Sequence, residues 1–471
     1  MSTSEPSARS QVENSAAEAL RRHALARGKV QLLPKCAIRD FRDFAVWYTP
    51  GVAAPCRAIQ AEPDMAYEYT NKGNSIAIIS DGTRVLGLGD IGPAAALPVM
   101  EGKALLFKYL GGVDAVPLCL GTKDPAEFVR TVRLLAPSFG GINLEDIAQP
   151  KCFRILEALR SELDIPVWHD DQQGSAMVVL AGLLGALRIA DKSIRRVKIA
   201  LVGVGAAGVA TFRLLRAAGA DPARMVACDS KGTLHRHRHD IDAQQHEFAE
   251  KWRICVETNA EALEGGIAEA LREADVCIAF AKSDPNVIKP EWISSMAGNA
   301  IVFACANPIP EIWPDVARSA GARIVGTGRS DFPNQVNNTL AFPGVFRGAL
   351  DVRASAITDE MTLAAAYELA NYAAERGLTE EAILPRMDDP EVVARVATAM
   401  KAQEQGIAKL ARTRAQLRQA AAKAVDNVRR ATRLLMQAEL IPTELHSTAP
   451  GQEPVPQLSD GTSEEPRRCP T

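Results

Sequence analysis

The sequence predicts an α/β protein with two parallel-sheet domains and a helical C-terminal segment, and three observations predict it. Strand-like and helical runs alternate through residues 31–172. An apolar strand, a glycine turn and a helix follow one another in "RRVKIALVGVGAAGVATFRLLRAAGA". From about residue 355 the chain reads as helix through 440. Such alternation implies parallel strands joined by crossover helices.

Residues 1–30 are polar and read as an arm with one helix. Residues 31–172, the first α/β domain, carry strands at "SIAIIS", "AVPLCL", "INLED" and "IPVWHDD". Helices at "ALPVMEGKALLFKYL", "PAEFVRTVRLLA" and "PKCFRILEALRSEL" separate them. A helix over 174–190 leads into the second domain, 173–405, with further strands at "RMVACD", "VCIAFA", "AIVFACA" and "RIVGTG". Residues 406–440 form a C-terminal helix, and 441–471 have the proline and serine content of a disordered tail.

The 471 residues suffice for two or three domains with full cores. A hydrophobic content of 47%, a charged content of 24% and a net charge of −3 give no global reason for a nucleic-acid or membrane partner, so a small-molecule substrate fits better. Nine scattered cysteines, an odd number, argue against a disulfide framework. The opening residues lack the apolar core of a signal peptide, and no run approaches the roughly 18 apolar residues of a membrane span. A cytoplasmic protein is expected.

In "VGVGAAG", Gly203, Gly205 and Gly208 form G-x-G-x-x-G between a strand and a helix. The first glycine permits a tight turn, the second lets backbone approach a pyrophosphate, and the third lets helix and strand pack closely. Ala206 and Ala207 then begin the helix whose N-terminus binds phosphate. Asp229 ends the next strand 21 residues past Gly208, where an acid binds a ribose 2′-hydroxyl. The pattern predicts a Rossmann, doubly wound NAD(P)-binding domain, with a plain structural turn as the alternative. Asp229 favours NAD, while Lys231, Arg236 and Arg238 stand close enough to welcome the 2′-phosphate of NADP. His235, His237 and His239 alternate in "LHRHRHD", but the interrupting arginines make a solvated basic loop the expectation over a metal site.

Glu145 and Asp146 end one strand, and Asp171 ends the next after a single helix, 26 residues past Glu145. In a right-handed β-α-β unit those strand ends point the same way, so the three carboxylates can converge. Oxygen ligands of this kind suit Mg²⁺ or Mn²⁺; helix caps and solvated turns are the alternative. Asp170, facing away from Asp171 on an extended chain, is expected beside the ion and not on it.

Tyr48 precedes the rigid turn Thr49-Pro50-Gly51, which would hold a phenol in place; a packed core tyrosine is the other reading. Lys103 lies in a helix that is apolar almost all round. Burial there would depress its pKa, and a fall of about three units from ~10.4 would make it a usable base. A surface lysine with a buried stem is the alternative.

Taken together, "YTPGVAAPC", "SDGTRVLGLGDIGP", "MEGKALLFKYLGG", "INLEDI", "PVWHDDQQGSA", "GVGAAG", "ANPIPEI" and "GRSDFPNQVNN" resemble the malic enzymes, in the order and separation of the short bacterial and archaeal branch. The resemblance covers about residues 15–440. It implies oxidative decarboxylation of L-malate to pyruvate and CO₂ with reduction of NAD(P)⁺. It also implies Tyr48 as general acid, Lys103 as general base assisted by Asp170, and Glu145, Asp146 and Asp171 as metal ligands. Arg84, Asn307 and Asn338 look like substrate contacts, and relatives suggest a homodimer or higher homo-oligomer. Gln173 stands where relatives usually carry histidine and Ser175 where they carry threonine. A malolactic conversion to lactate with bound NAD, and a nucleotide-binding protein that has lost catalysis, are the alternatives.

Overall fold

The computed structural model describes residues 8–389 and 398–442. From 443 onward the expected tail lies outside the described residues. Residues 8–26 form a helix.

Four parallel strands build the first sheet: β1 (Ser75–Ser80), β2 (Asp114–Cys119), β3 (Gly141–Leu144) and β4 (Val167–His169), in the order β2-β1-β3-β4. Every residue of β1 and β3 is buried. Helices α1 (Gly92–Gly111), α2 (Pro125–Leu135) and α3 (Lys151–Glu162) make the crossovers, each matching a sequence-predicted helix. Because β3 and β4 are neighbours in parallel register, with Leu144 opposite His169, their C-terminal ends emerge side by side.

A single π-helical turn, Asp170–Gly174, joins β4 to α4 (Ser175–Ala190). Gly174 makes this turn possible. A Cβ at that position would come within 1.9 Å of Asp170 Oδ1. By length and composition alone, with charged residues tolerated, Asp170–Ala190 could cross a membrane. Yet 78% of its apolar window is buried inside the protein, so length and composition here reflect a core helix, packed against Ala206–Ala217 and Asp359–Glu375.

The second sheet contains β5 (Ile199–Val202), β6 (Met225–Asp229), β7 (Gly232–Thr233), β8 (Val276–Ala279), β9 (Ala300–Ala304) and β10 (Ala322–Thr327). Its order, β10-β9-β8-β5-β6-β7, is the doubly wound arrangement, parallel except for the two-residue β7. The connection reverses between β5 and β8, and ligands of such sheets bind outside the strand ends at that switch point. Helix α5 (Ala206–Ala217) starts there.

The C-terminal helix expected over 406–440 is shorter than that, and a separate helix precedes it. Ala399–Glu404 and Arg414–Gln437 are separate helices, with Gly406 at φ +70° between them. Leu417, Ala421 and Val425, four residues apart, are the buried face of the longer one.

Candidate active site

Each acid at the centre of the site sits on a strand end or on the turn after it. Glu145 and Asp146 follow β3, and Asp171 lies in the turn after β4; one ligand oxygen from each falls within 4.8 Å of the others. Asp171 Oδ2 accepts from the Asp146 N–H at 2.7 Å. Asp146 has φ +55°, in the left-handed region that a non-glycine residue seldom adopts. Strain of that kind persists where surrounding structure over-determines it, and such places are often functional. Asn143, two residues before Glu145 and so on the same strand face, donates Nδ2 to Glu145 Oε2 at 2.9 Å.

Lys103 reaches this cluster from α1. Its Nζ lies 2.5 Å from Asp170 Oδ2, 2.9 Å from Glu145 Oε1, and 4.3 Å from the Phe342 ring centre. Asp170 is fully buried and also accepts from Trp168 Nε1 at 3.2 Å. The expectation of a neutral lysine is corrected here. Burial pulls the Lys103 pKa down, but the adjacent Asp170 and Glu145 carboxylates outweigh it and hold the ammonium above its ordinary value. The sequence revealed the apolar helix but not that two acids would meet its lysine.

The carboxylates respond the opposite way. Burial, then the neighbouring Asp171, push Asp146 up to about 8, although Lys103 opposes this. Burial also raises Glu145, Asp170 and Asp171, against the pull of Lys103. Asp146 Oδ2 is buried without a hydrogen-bond partner. Crowded, desolvated carboxylates with an orphaned oxygen fit a hard divalent cation, which takes oxygen ligands and offsets their repulsion. His169, fully buried with Nδ1 3.6 Å from Asp171 Oδ2 and neither ring nitrogen hydrogen-bonded, is held neutral by burial, which lowers its pKa to about 4.

The remaining expected residues separate into two groups. Arg84 is exposed on the loop after β1; its N–H donates to the Asp146 carbonyl, and its charge is close enough to lower Asp146 and Asp171. Asn338 packs against the Asp170–Gly174 turn, its Cβ 3.2 Å from where a Gly174 Cβ would lie. Asn307 borders the Arg84 loop, since a Cβ on Gly87 would meet the Asn307 carbonyl at 3.0 Å. Tyr48 is not brought in. It is 70% exposed, on a segment where Phe41 is 89% and Val46 67% exposed.

At the second sheet's edge the three glycines differ as their spacing predicts. Gly203 has φ +96° and a Cβ there would strike the Phe280 carbonyl at 2.5 Å. One on Gly208 would strike the Gly203 carbonyl at 2.1 Å, whereas one on Gly205 would meet nothing within 4 Å. Thus Gly205 alone faces open space, at the N-terminus that Ala206 and Ala207 begin. Glu311, which sequence reading missed, is fully buried and accepts from the N–H groups of Ala281 at 2.7 Å and Ala306 at 3.0 Å. It ties together the loops after β8 and β9, and only its place in "ANPIPEI" hinted at it.

Asp229 ends β6 as expected but is not a bare acid. Arg238 grips both its oxygens at 3.1 Å and Lys251 donates at 2.7 Å. The solvated loop expected for 235–239 is corrected accordingly: Arg238 and His235 turn inward, drawn by the Asp229 and Asp240 carboxylates and by burial, while Arg236, His237 and His239 remain exposed.

Comparison with known proteins gives concordant matches. The malic enzyme N-terminal domain matches residues 27–160 and the malic enzyme NAD binding domain residues 172–405. A bifunctional malic/malolactic enzyme of Bacillus subtilis is 47% identical over 399 residues, covering 83% of this chain and 94% of that protein. An NAD-dependent malic enzyme of Geobacillus stearothermophilus is 49% identical, covering 79% and 76%. The solved structure of the Entamoeba histolytica malic enzyme superposes with a TM-score of 0.88 at 45% identity, covering 93% of each chain.

Proposed function

The chain belongs to the malic enzyme family, and from that premise we propose that it oxidatively decarboxylates L-malate to pyruvate and CO₂ with reduction of NAD(P)⁺, using a divalent metal. The observation that carries this reading is the meeting of Glu145, Asp146 and Asp171 within 4.8 Å, in contact with Lys103.

Glu145, Asp146 and Asp171 are the residues that would hold Mg²⁺ or Mn²⁺. When bound, such an ion polarises the substrate oxygens that it touches. The turn Gly203–Gly208 holds the pyrophosphate of the dinucleotide, whose nicotinamide supplies the hydride acceptor. We assign residues 31–172 to the metal and substrate part and 173–405 to the nucleotide part.

Lys103 takes the C2 hydroxyl proton. Its pair of acids keeps it charged while both are free; a cation held by Glu145, Asp146 and Asp171 would weaken the pull of Glu145, and Lys103 would then release its proton more readily. Asp170, hydrogen-bonded to Nζ, holds the lysine in position and relays the proton. Arg84 holds a substrate carboxylate in bidentate fashion, and Asn307 and Asn338 fill its remaining hydrogen bonds. After CO₂ leaves, C3 needs a proton, and Tyr48 is the donor.

Since Tyr48 lies exposed among Phe41, Phe44, Val46 and Trp47, we infer that a second copy of the chain covers this strip and receives the phenol in its site. A homodimer or higher homo-oligomer follows. The eight described cysteines are all unpaired, which fits a reducing, cytoplasmic compartment.

The test is malate-dependent absorbance of reduced nucleotide, with NAD⁺ and with NADP⁺, before and after EDTA. Growth of signal that EDTA abolishes is expected; no signal under any condition refutes the proposal. The name of the Bacillus subtilis relative favours a malolactic activity as second reading, which release of lactate without net NADH would establish.

A further inference from the structure

The acid that ends β6 is positioned to read an adenosine ribose, yet its acceptor capacity is already filled. An ionised carboxylate offers about four lone-pair positions. Oδ1 of Asp229 accepts from the Lys231 N–H at 2.9 Å and Arg238 Nη1 at 3.1 Å. Oδ2 accepts from Arg238 Nη2 at 3.1 Å and Lys251 Nζ at 2.7 Å. Selection of NAD by an acid requires free lone pairs for the ribose hydroxyls and an unneutralised charge to repel a 2′-phosphate. Asp229 has neither.

Arg238 cannot easily let go. Besides Asp229 it donates Nε and Nη2 to Asp240 at 2.8 and 3.0 Å and Nη1 to the Thr233 carbonyl at 3.2 Å, which uses every N–H of its guanidinium. Its side chain is 11% exposed and that of Asp229 9%. The pair is therefore a closed brace across the β6–β7 turn.

Within the brace itself the basic side chains outnumber the acids. Asp229 and Asp240 face Lys231, Arg238 and Lys251, which leaves a net charge of +1. Lys231 is 69% exposed with its Nζ only on Asp240 at 3.0 Å, Arg236 beside it is exposed, and Lys251 spends one of three N–H bonds on Asp229. Donors able to meet a phosphate are present; a free acid to refuse it is not.

We propose that the β6 acid of this chain is a structural counter-ion and no longer the selector of NAD, so that Lys231, Arg236 and Lys251 accept the 2′-phosphate and make NADP⁺ at least as good a substrate as NAD⁺. This rests on the malic enzyme reading above, and it replaces the NAD preference that the position of Asp229 suggested. Arg238 sets the choice by withholding Asp229, without itself touching the nucleotide.

Two measurements test this. The first is calorimetric binding of adenosine 2′,5′-bisphosphate and of 5′-AMP to the full chain, which needs no catalysis. The bisphosphate should bind at least tenfold tighter, and the combined Lys231→Gln and Arg236→Gln variant, altered at exposed positions, should reduce that advantage by about tenfold, as loss of charge-assisted hydrogen bonds does. The second is the ratio of kcat/KM for NADP⁺ over NAD⁺. It should be one or more in the wild type, fall about tenfold in that variant, and fall in Arg238→Gln because NAD⁺ gains Asp229 as a partner. Equal binding of the two adenylates, a wild-type preference for NAD⁺ above tenfold, or variants that move both nucleotides equally would overturn the proposal. Tight bisphosphate binding without malate-dependent reduction of either nucleotide would instead defeat the function while upholding this site.

Discussion

Replacing Gly174 by alanine is the sharpest perturbation of the turn that carries the acids. On intrinsic grounds Gly174→Ala ought to help, since alanine is favoured over glycine within a helix by about 1 kcal/mol. The geometry reverses the sign. The new Cβ would lie 1.9 Å from Asp170 Oδ1, where ordinary contact begins near 3.4 Å, so the carboxylate must retreat by about 1.5 Å. That retreat removes its 2.5 Å contact with Lys103 and its 3.2 Å bond from Trp168 Nε1. Overpacking costs about 1–3 kcal/mol, and depriving a buried ion of one partner costs about 3 kcal/mol more. Set against the propensity gain, a net loss of about 3–5 kcal/mol remains, enough to lower the apparent Tm by about 3–5 °C in a chain of this length. With Asp170 displaced and Lys103 no longer held by it, kcat should fall roughly a hundredfold, the usual cost of moving a catalytic group by about 1 Å. Thermal scans and initial rates on the same preparation check both. A variant with raised Tm and wild-type kcat would refute the reasoning.

Further outcomes are expected elsewhere. The Asp146 carboxyl, raised by burial from 3.8 to about 8, favours the fold fully below pH 4 and loses that contribution as pH climbs towards 8. In EDTA, Tm should therefore fall between pH 5 and 8, and the stabilisation by added Mn²⁺ should grow over the same window; a pH-independent metal effect would contradict it. Gly205→Ala, whose Cβ meets nothing within 4 Å, should leave Tm unchanged and raise KM for the nucleotide about tenfold, whereas Gly208→Ala, at 2.1 Å from the Gly203 carbonyl, should cost about 1–3 kcal/mol of stability. Tyr48→Phe, at a 70% exposed position, should keep Tm and lower kcat by roughly a hundredfold or more. Mixing it with Lys103→Ala should restore part of the rate if neighbouring copies exchange this residue, and an unmoved rate would place the tyrosine within its own subunit.

The parts of this molecule that were legible in its sequence share one physical property, which is locality. The strand "SIAIIS" and the helix "FRILEALRSEL" announce themselves by apolar patterning within one element. The acids at 145, 146 and 171 could be brought together because a parallel β-α-β unit fixes which way both strand ends point. What stayed hidden depended on side chains from distant elements. Lys103 reads as a buried neutral base until Asp170, 67 residues away, turns out to sit 2.5 Å from it. Asp229 reads as a ribose acceptor until Lys251, 22 residues on, reaches back to it. Asn143 was within reach of sequence reasoning, since it shares a strand face with Glu145, but a polar residue in a buried strand gives no clue to its partner. The strip from Phe41 to Tyr48 carries no periodicity that would have revealed its exposure.

The most direct test of the metal assignment is calorimetric titration of Mn²⁺ into chelator-treated protein, comparing wild type with Asp171→Asn at pH 7.5. The account predicts one saturable site per chain in the wild type, weakened at least tenfold in the variant, since an amide supplies a poorer ligand than a carboxylate. Equal affinity in the two proteins, or no saturable binding in either, would contradict it.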